Sequence, residues 1–226
     1  NIVRETSLVE CTFLSSSDIA DFRVRYFLSD REIPFAGHPT IATAMSLISR
    51  SKHVKNKLVF ETLAGLIHVE VSCSGDQTKI SMTQPKPKFG FKIEKKVLSE
   101  IGGIPENSIL FKPQVVSTGL PFPIVLVDTL ETLQKVTIDY QALDKFRATS
   151  SENDLMEPFW VCLSPPRENG ITFSRLLLQS GGRSEDPFTG SATGAMAAYL
   201  WDNGLIQKPT FTAHQGDFLG RPGEAE

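Results

Sequence analysis

A chain of 226 residues, 40% hydrophobic and 22% charged, can bury a real core as one domain or two small ones. Its formal net charge of −3 gives no global pull toward nucleic acid or anionic membrane, and no apolar run reaches membrane-spanning length or resembles a signal peptide. Three scattered cysteines (Cys11, Cys73, Cys162) argue against a disulfide framework and for a reducing cytosol, and four histidines without ligand spacing (His38, His53, His68, His214) predict no metal.

In chain order, Ile2 to Ser7 reads as the tail of a helix and Val9 to Leu14 as a strand. Asp21 to Leu28 alternates, with Phe22, Val24, Tyr26 and Leu28 on one side and Arg23 and Arg25 on the other, a half-buried strand. A turn and a small-residue helix ending near Arg50 follow. Lys57 to Glu61 and Leu66 to Ser72 are strands turned at Ala64-Gly65, and Gly75-Asp76 makes a hairpin into Lys79 to Met82. Pro85, Pro87 and Gly90 mark a boundary, so the halves are expected at 1–87 and 88–226. Beyond it, Lys92 to Ile101 suits a helix, Gln114 to Thr118 and Ile124 to Val127 strands, Asp139 to Ala148 a helix, and Phe159 to Leu163 and Ile171 to Leu178 strands. The chain closes with a Phe211-Thr212 strand and turns at Gln215-Gly216 and Gly220-Arg221-Pro222.

Two stretches match each other. Glu32 to Leu47 reads E-I-P-F-A-G-H-P-T-I-A-T-A-M-S-L, and Glu185 to Leu200 reads E-D-P-F-T-G-S-A-T-G-A-M-A-A-Y-L. At a constant offset of 153, eight positions are identical, among them Glu32/Glu185, Pro34/Pro187, Phe35/Phe188 and Gly37/Gly190. Arg25 precedes the first copy as Arg175 precedes the second, with three extra residues in the second. Phe60 to Gly65 matches Phe211 to Gly216 in placement, and Glu10-Cys11-Thr12-Phe13 matches Glu157-Pro158-Phe159-Trp160. Each copy leads an acidic turn through Gly into a slim helix, whose first amides and positive dipole end form a cradle for a carboxylate or phosphate. Either copy alone is an ordinary Gly-started helix; the pair predicts a duplicated α+β half-domain, each half a curled sheet around a central helix, with a site where the halves meet. The first half lacks an opening strand and the second its last strands, so a fragment shortened at both ends is expected.

E-I-P-F-A-G-H-P-T followed by E-D-P-F-T-G-S-A resembles the PhzF-like (phenazine biosynthesis protein-like) family, relatives of diaminopimelate epimerase. S-T-G-L-P-F-P at Ser117 to Pro123 and H-Q-G-D-F-L-G-R-P at His214 to Pro222 are similar to further stations of that family, so the resemblance covers essentially the whole chain. It implies the diaminopimelate-epimerase-like fold, two pseudo-symmetric domains with the active site in their cleft, and a homodimer, in the cytoplasm that the cysteine usage suggests. It also places the family's general acid/base on Glu10, where the neighbouring Ser and Thr of the family are Val9 and Cys11, with the loss of a hydroxyl that would help hold substrate.

Read alone, Glu10 is a strand-start surface carboxylate, His38 a helix-start hydrogen bonder, Asp186 a turn cap and Cys11 a small buried residue. A carboxylate withdrawn from water in a closed cleft, however, can both take and give a proton. By resemblance His38 lines the pocket and contacts substrate or shuttles a proton. Asp186 points into the cleft and pairs with a substrate amino group or partners in proton transfer. Gly190 and Ser191 offer helix-start amides and a hydroxyl to a substrate carboxylate, and Gly37 does the same from the other half. Relatives that racemise amino acids carry a thiol base before each helix; those positions are Ala36 and Thr189 here, so a two-cysteine racemase is not expected.

The expectation is an isomerase without cofactor, acting by general acid/base catalysis on a small amino- and carboxylate-bearing metabolite in a biosynthetic process. Gly181-Gly182 lacks the dinucleotide fingerprint. The alternatives are a racemase or epimerase using other bases and a non-catalytic small-molecule-binding or interaction member of the family.

Overall fold

Alternating side chains build the first sheet. In strand Phe22–Phe27 (β2), Val24 and Tyr26 are buried while Arg23 and Arg25 face outward. The computed structural model describes residues 2–6, 8, 10–50, 55–75, 77–152, 155–163, 171–178 and 184–226; the expectations that involve Ser7, Val9, His53, Asp76 and Gly181-Gly182 lie outside them.

After the short helix Ile2–Thr6 (α1), strand Cys11–Ser15 (β1) runs antiparallel to β2, with Phe13 opposite Arg25. The two-residue strand Glu32–Ile33 (β3) folds back antiparallel onto β2. Helix Gly37–Arg50 (α2) follows, and Lys57–Thr62 (β4) then runs parallel to β2 with Phe22 opposite Phe60. Gly65–Ser74 (β5) and Gln77–Thr83 (β6) complete the sheet by antiparallel hairpins, in the order β1-β2-β4-β5-β6. Thr40, Thr43 and Ala44, spaced i, i+3 and i+4, form the buried face of α2. Two hydroxyl bonds tie that face to the sheet: Tyr26 to Thr40 at 2.7 Å and Thr12 to Thr43 at 2.8 Å.

Contacts divide the chain into two compact units, Asn1–Lys86 and Pro87–Glu226. The second carries Lys88–Lys92 (β7), helix Lys95–Gly102 (α3), Ile109–Ser117 (β8), Pro121–Val127 (β9), helices Leu130–Lys135 (α4) and Tyr140–Thr149 (α5), and Phe159–Leu163 (β10). Thr172–Leu177 (β11), Glu185–Asp186 (β12), helix Gly190–Asp202 (α6), Ala213–Gln215 (β13) and Gly223–Ala225 (β14) follow. The sheet order is β14-β13-β11-β10-β9-β8-β7, with β12 paired to β11. Strands β9 and β10 are buried at every position, as strands covered on both faces must be. Trp160 and Cys162 of β10 join the core of α3, α4 and α5, whereas α6 packs on β8, β9 and β10 through Ala192, Ala195, Met196 and Tyr199.

The repeat is carried by topology as well as by sequence. Strands β10, β11, β12, β13 and β14 pair as β1, β2, β3, β4 and β5 do: antiparallel, antiparallel, parallel, antiparallel. Arg25 grips Glu32 through Nε–Oε1 at 2.8 Å and Nη2–Oε2 at 2.7 Å, and Arg175 grips Glu185 with the same fork at 3.0 and 2.7 Å. Phe13 lies opposite Arg25 and Trp160 opposite Arg175, so Glu10 and Glu157 occupy matching places.

Four expectations need correction. The last matched segment is shifted by two residues: Thr172 pairs with Ala213, so the counterpart of Phe60 is Ala213 rather than Phe211, and the strand is β13 rather than Phe211-Thr212. Lys88–Lys92, around Gly90, is an edge strand, and helix α3 begins at Lys95 rather than Lys92. Helix α4 was not expected; it is capped by Thr129, whose hydroxyl accepts from Thr132 N at 3.0 Å. Strand β8 begins at Ile109 rather than Gln114, because an irregularity between Leu110 and Gln114 interrupts its pairing and hides the continuity.

Candidate active site

The first cluster of candidate residues lies at the start of α2. Glu10 immediately precedes β1, and the Thr12–Thr43 bond fixes that strand against the helix. His38 is the second helical residue, directly after the buried Gly37. His38 Nε2 stands 3.7 Å from Glu10 Oε2, within ion-pair reach and beyond a direct hydrogen bond. The Glu10 side chain is only 15% exposed, whereas His38 is 45% exposed, so the acid is withdrawn from water and its basic neighbour is not.

Tyr26 closes the floor of this cluster. Thr40 Oγ1 donates to Ala36 O at 2.6 Å, so its only hydrogen is committed, and the 2.7 Å bond from Tyr26 must be donated by the phenol. Burial pushes the Tyr26 hydroxyl up to about 12, opposed by the Thr40 bond and aided by the Glu10 carboxylate. Tyr26 is thus a neutral donor that anchors the helix start through Thr40 and Ala36.

The second cluster lies at the start of α6. Asp186 ends the short strand β12, buried beside Pro187, and Thr189 occupies the helix cap position. The Thr189 side chain makes no cap bond; its hydroxyl lies 2.6 Å from Asp186 Oδ2. Gln215, fully buried on β13, holds this corner: its Oε1 accepts from Thr189 N at 2.9 Å, and its Nε2 donates to Asp186 O at 2.9 Å and Thr189 Oγ1 at 3.0 Å. Gly190 and Ser191 begin the helix, and Thr118 donates to Ser191 O at 3.2 Å.

The structure therefore gathers Glu10, Gly37 and His38 in one unit, and Asp186, Gly190 and Ser191 in the other. Each set sits at the amide end of a helix, where an anion is favoured. The matching carboxylates have different partners. Glu157 is buried against Arg147 Nη2 at 3.3 Å, a guanidinium that stays charged, while Glu10 faces the imidazole of His38. Thr189, Gln215 and Tyr26 were not singled out as site residues from the sequence; Gln215 lay in a recognised segment, H-Q-G, but nothing in one chain says where a buried amide points. Among the described residues, no three His, Cys, Asp or Glu side chains converge as a metal would require.

The paired halves, each with a glycine-led helix beside a short acidic strand, define the diaminopimelate-epimerase-like fold. A hydroxyproline epimerase of Agrobacterium vitis shares that fold, with a TM-score of 0.65 and 15% identity over 95% of this chain and 65% of that one. A predicted epimerase of Pseudomonas aeruginosa is similar at 30% identity and a TM-score of 0.78, covering 99% of this chain and 77% of that chain. The profile described as phenazine biosynthesis-like protein matches residues 1–226. An uncharacterized isomerase of Clostridium acetobutylicum is 31% identical over all of this chain and 77% of its own. The trans-2,3-dihydro-3-hydroxyanthranilate isomerase of Pseudomonas chlororaphis is 29% identical over 98% of this chain and 75% of its own. The chain belongs to the phenazine biosynthesis-like family and is an enzyme of the isomerase class.

Proposed function

We propose that the protein is a cofactor-independent isomerase that removes a proton from one atom of a small carboxylate-bearing, amino-substituted metabolite and returns it at another. Glu10 is the acid/base, His38 contacts substrate or shuttles the proton, and Asp186 pairs with the substrate's amino group or assists the transfer. The amide ends at Gly37, Gly190 and Ser191 receive the substrate carboxylate. Both clusters serve one substrate, and exclusion of water around it strengthens the fixed dipoles. A cytoplasmic homodimer is the working assembly of this reading.

The observation that carries the reading is a carboxylate 15% exposed, 3.7 Å from a histidine at a helix start. A positioned acid/base of this kind contributes about 10²–10⁴-fold to rate. Racemisation by a base at the helix cap is disfavoured, because Ala36 has no titratable group and the Thr189 hydroxyl is engaged with Asp186.

The test is incubation of the intact protein in D2O with trans-2,3-dihydro-3-hydroxyanthranilate, the compound for which one relative is named, and with simple α-amino acids. Deuterium entering the compound together with a shifted double bond is the expected result. Binding of the compound without exchange would instead favour the non-catalytic reading, and label at the α-carbon of an amino acid the racemase reading.

A further inference from the structure

The H-Q-G-D-F-L-G-R-P segment has no role in the chemistry above, yet it is packed against the acidic turn with unusual closeness. Gly216 has φ +89°, and a Cβ there would lie 2.7 Å from Pro187 O; a Cβ on Gly223 would lie 2.6 Å from the Phe188 ring. Only glycine lets this corner reach the Asp186–Phe188 turn, and that approach delivers the Gln215 amide to Asp186 and Thr189.

The direction of every bond in that contact is fixed by elimination. Thr189 N can only donate, so the oxygen of the Gln215 amide faces it; Asp186 O can only accept, so the nitrogen faces that carbonyl. The second hydrogen of Gln215 Nε2 then points to Thr189 Oγ1, 3.0 Å away. The Thr189 hydroxyl, already accepting, directs its own hydrogen to Asp186 Oδ2 at 2.6 Å. The first half has nothing equivalent, since Ile33, Ala36 and Thr62 stand at the places of Asp186, Thr189 and Gln215.

We infer that Gln215 and Thr189 are positioning residues that commit Asp186 Oδ2 to accepting a hydrogen bond, so that the carboxyl group is held in one orientation and any proton it carries sits on Oδ1. A proton on Oδ2 would collide with the threonine hydrogen, and turning the carboxyl group breaks a bond that holds both residues in place. The relay serves either role open to Asp186 in the proposed function, because it fixes which oxygen pairs with a donor or passes a proton. The inference rests on that reading only in taking Asp186 as substrate-facing.

The test separates the two. In isotope-labelled protein without ligand, the Thr189 hydroxyl proton is expected as a slowly exchanging resonance coupled to the Asp186 carboxyl carbon. It should vanish in Thr189→Val and Gln215→Met and persist in Thr189→Ser; a signal that survives in folded Gln215→Met, or is absent from the wild type, overturns the relay. In turnover of the exchange-assay compound, Thr189→Val and Gln215→Glu are expected to lower kcat/KM about tenfold, and Thr189→Ser to restore it. Unchanged kcat/KM in both Thr189→Val and Gln215→Glu would overturn the inference. If the wild type turns over no compound tested, the proposed function fails, and the ligand-free resonance still decides the relay.

Discussion

The same arginine–glutamate fork occurs in both halves with nearly the same geometry, and burial alone should make one matter far more than the other. The Arg25 and Glu32 side chains are 53% and 24% exposed; those of Arg175 and Glu185 are 11% and 3% exposed. Arg175 does more than pair. Its Nη1 also donates to Leu133 O at 3.0 Å, Gln134 O at 2.9 Å and Val136 O at 3.1 Å, closing the end of α4, and its guanidinium lies 5.4 Å from the centre of the Phe218 ring. Arg175→Met leaves the Glu185 charge buried without its partner and opens three carbonyls. Breaking a buried pair in this way costs about 3–5 kcal/mol. At a slope of about 2 kcal/mol per molar urea, the unfolding midpoint of the unit that carries it falls by about 2 M. Arg25→Met leaves the midpoint within error, because water and salt screen the exposed fork. Arg175→Met combined with Glu185→Leu recovers most of the loss, since removing both charges removes the uncompensated one. Urea titration followed by Trp fluorescence and circular dichroism reads all of these. An Arg175→Met variant as mild as Arg25→Met would refute the argument that burial separates the twins.

Further outcomes follow from packing and from burial of phenols. Gly102→Ala places a methyl group 2.8 Å from Trp160 Cζ2 in the densest part of the second core, and overpacking there should cost about 1–3 kcal/mol in the same titration. Burial pushes Tyr26 and Tyr199 up to about 12, against about 10 for an unfolded tyrosine. The unfolded chain therefore releases these protons first as pH rises, so their stabilising contribution is complete below about pH 10 and is lost toward pH 12. Thermal melts across that range should flatten in the Tyr26→Phe/Tyr199→Phe variant; an unchanged alkaline slope would mean that the phenols ionise freely.

Much of the fold was legible because the repeat fixes places that propensity leaves open. The Arg25/Arg175 and Glu32/Glu185 matches fall on equivalent positions, though their pairing was not expected, and the Gly37/Gly190 match anticipated the starts of α2 and α6. The misses share a physical cause: local pattern carries little information where pairing partners are distant. The K-F-G-F-K of β7 is largely exposed and interrupted by Gly90, whose Cβ would come within 3.2 Å of Val115, so glycine there reads as a boundary although it marks a close strand approach. Six residues of α4 are too few for a period, and its signals are the Thr129 cap and the Glu131–Lys135 bridge at 2.7 Å. Among the candidates, Glu10, His38 and Asp186 were singled out through motif order. The Gln215–Thr189 relay was not, because it depends on a glycine corner that brings residues 186 and 215 together.

The claim on which the enzyme reading depends is that the Glu10 carboxylate carries the moving proton. Single-turnover deuterium transfer from D2O in the Glu10→Gln protein, with ligand affinity measured alongside, addresses it directly. The account predicts transfer slowed by about 10²-fold or more at nearly unchanged affinity, since glutamine keeps the shape and loses the proton chemistry. Transfer within a few-fold of the wild-type rate would assign the proton to another group and contradict the account.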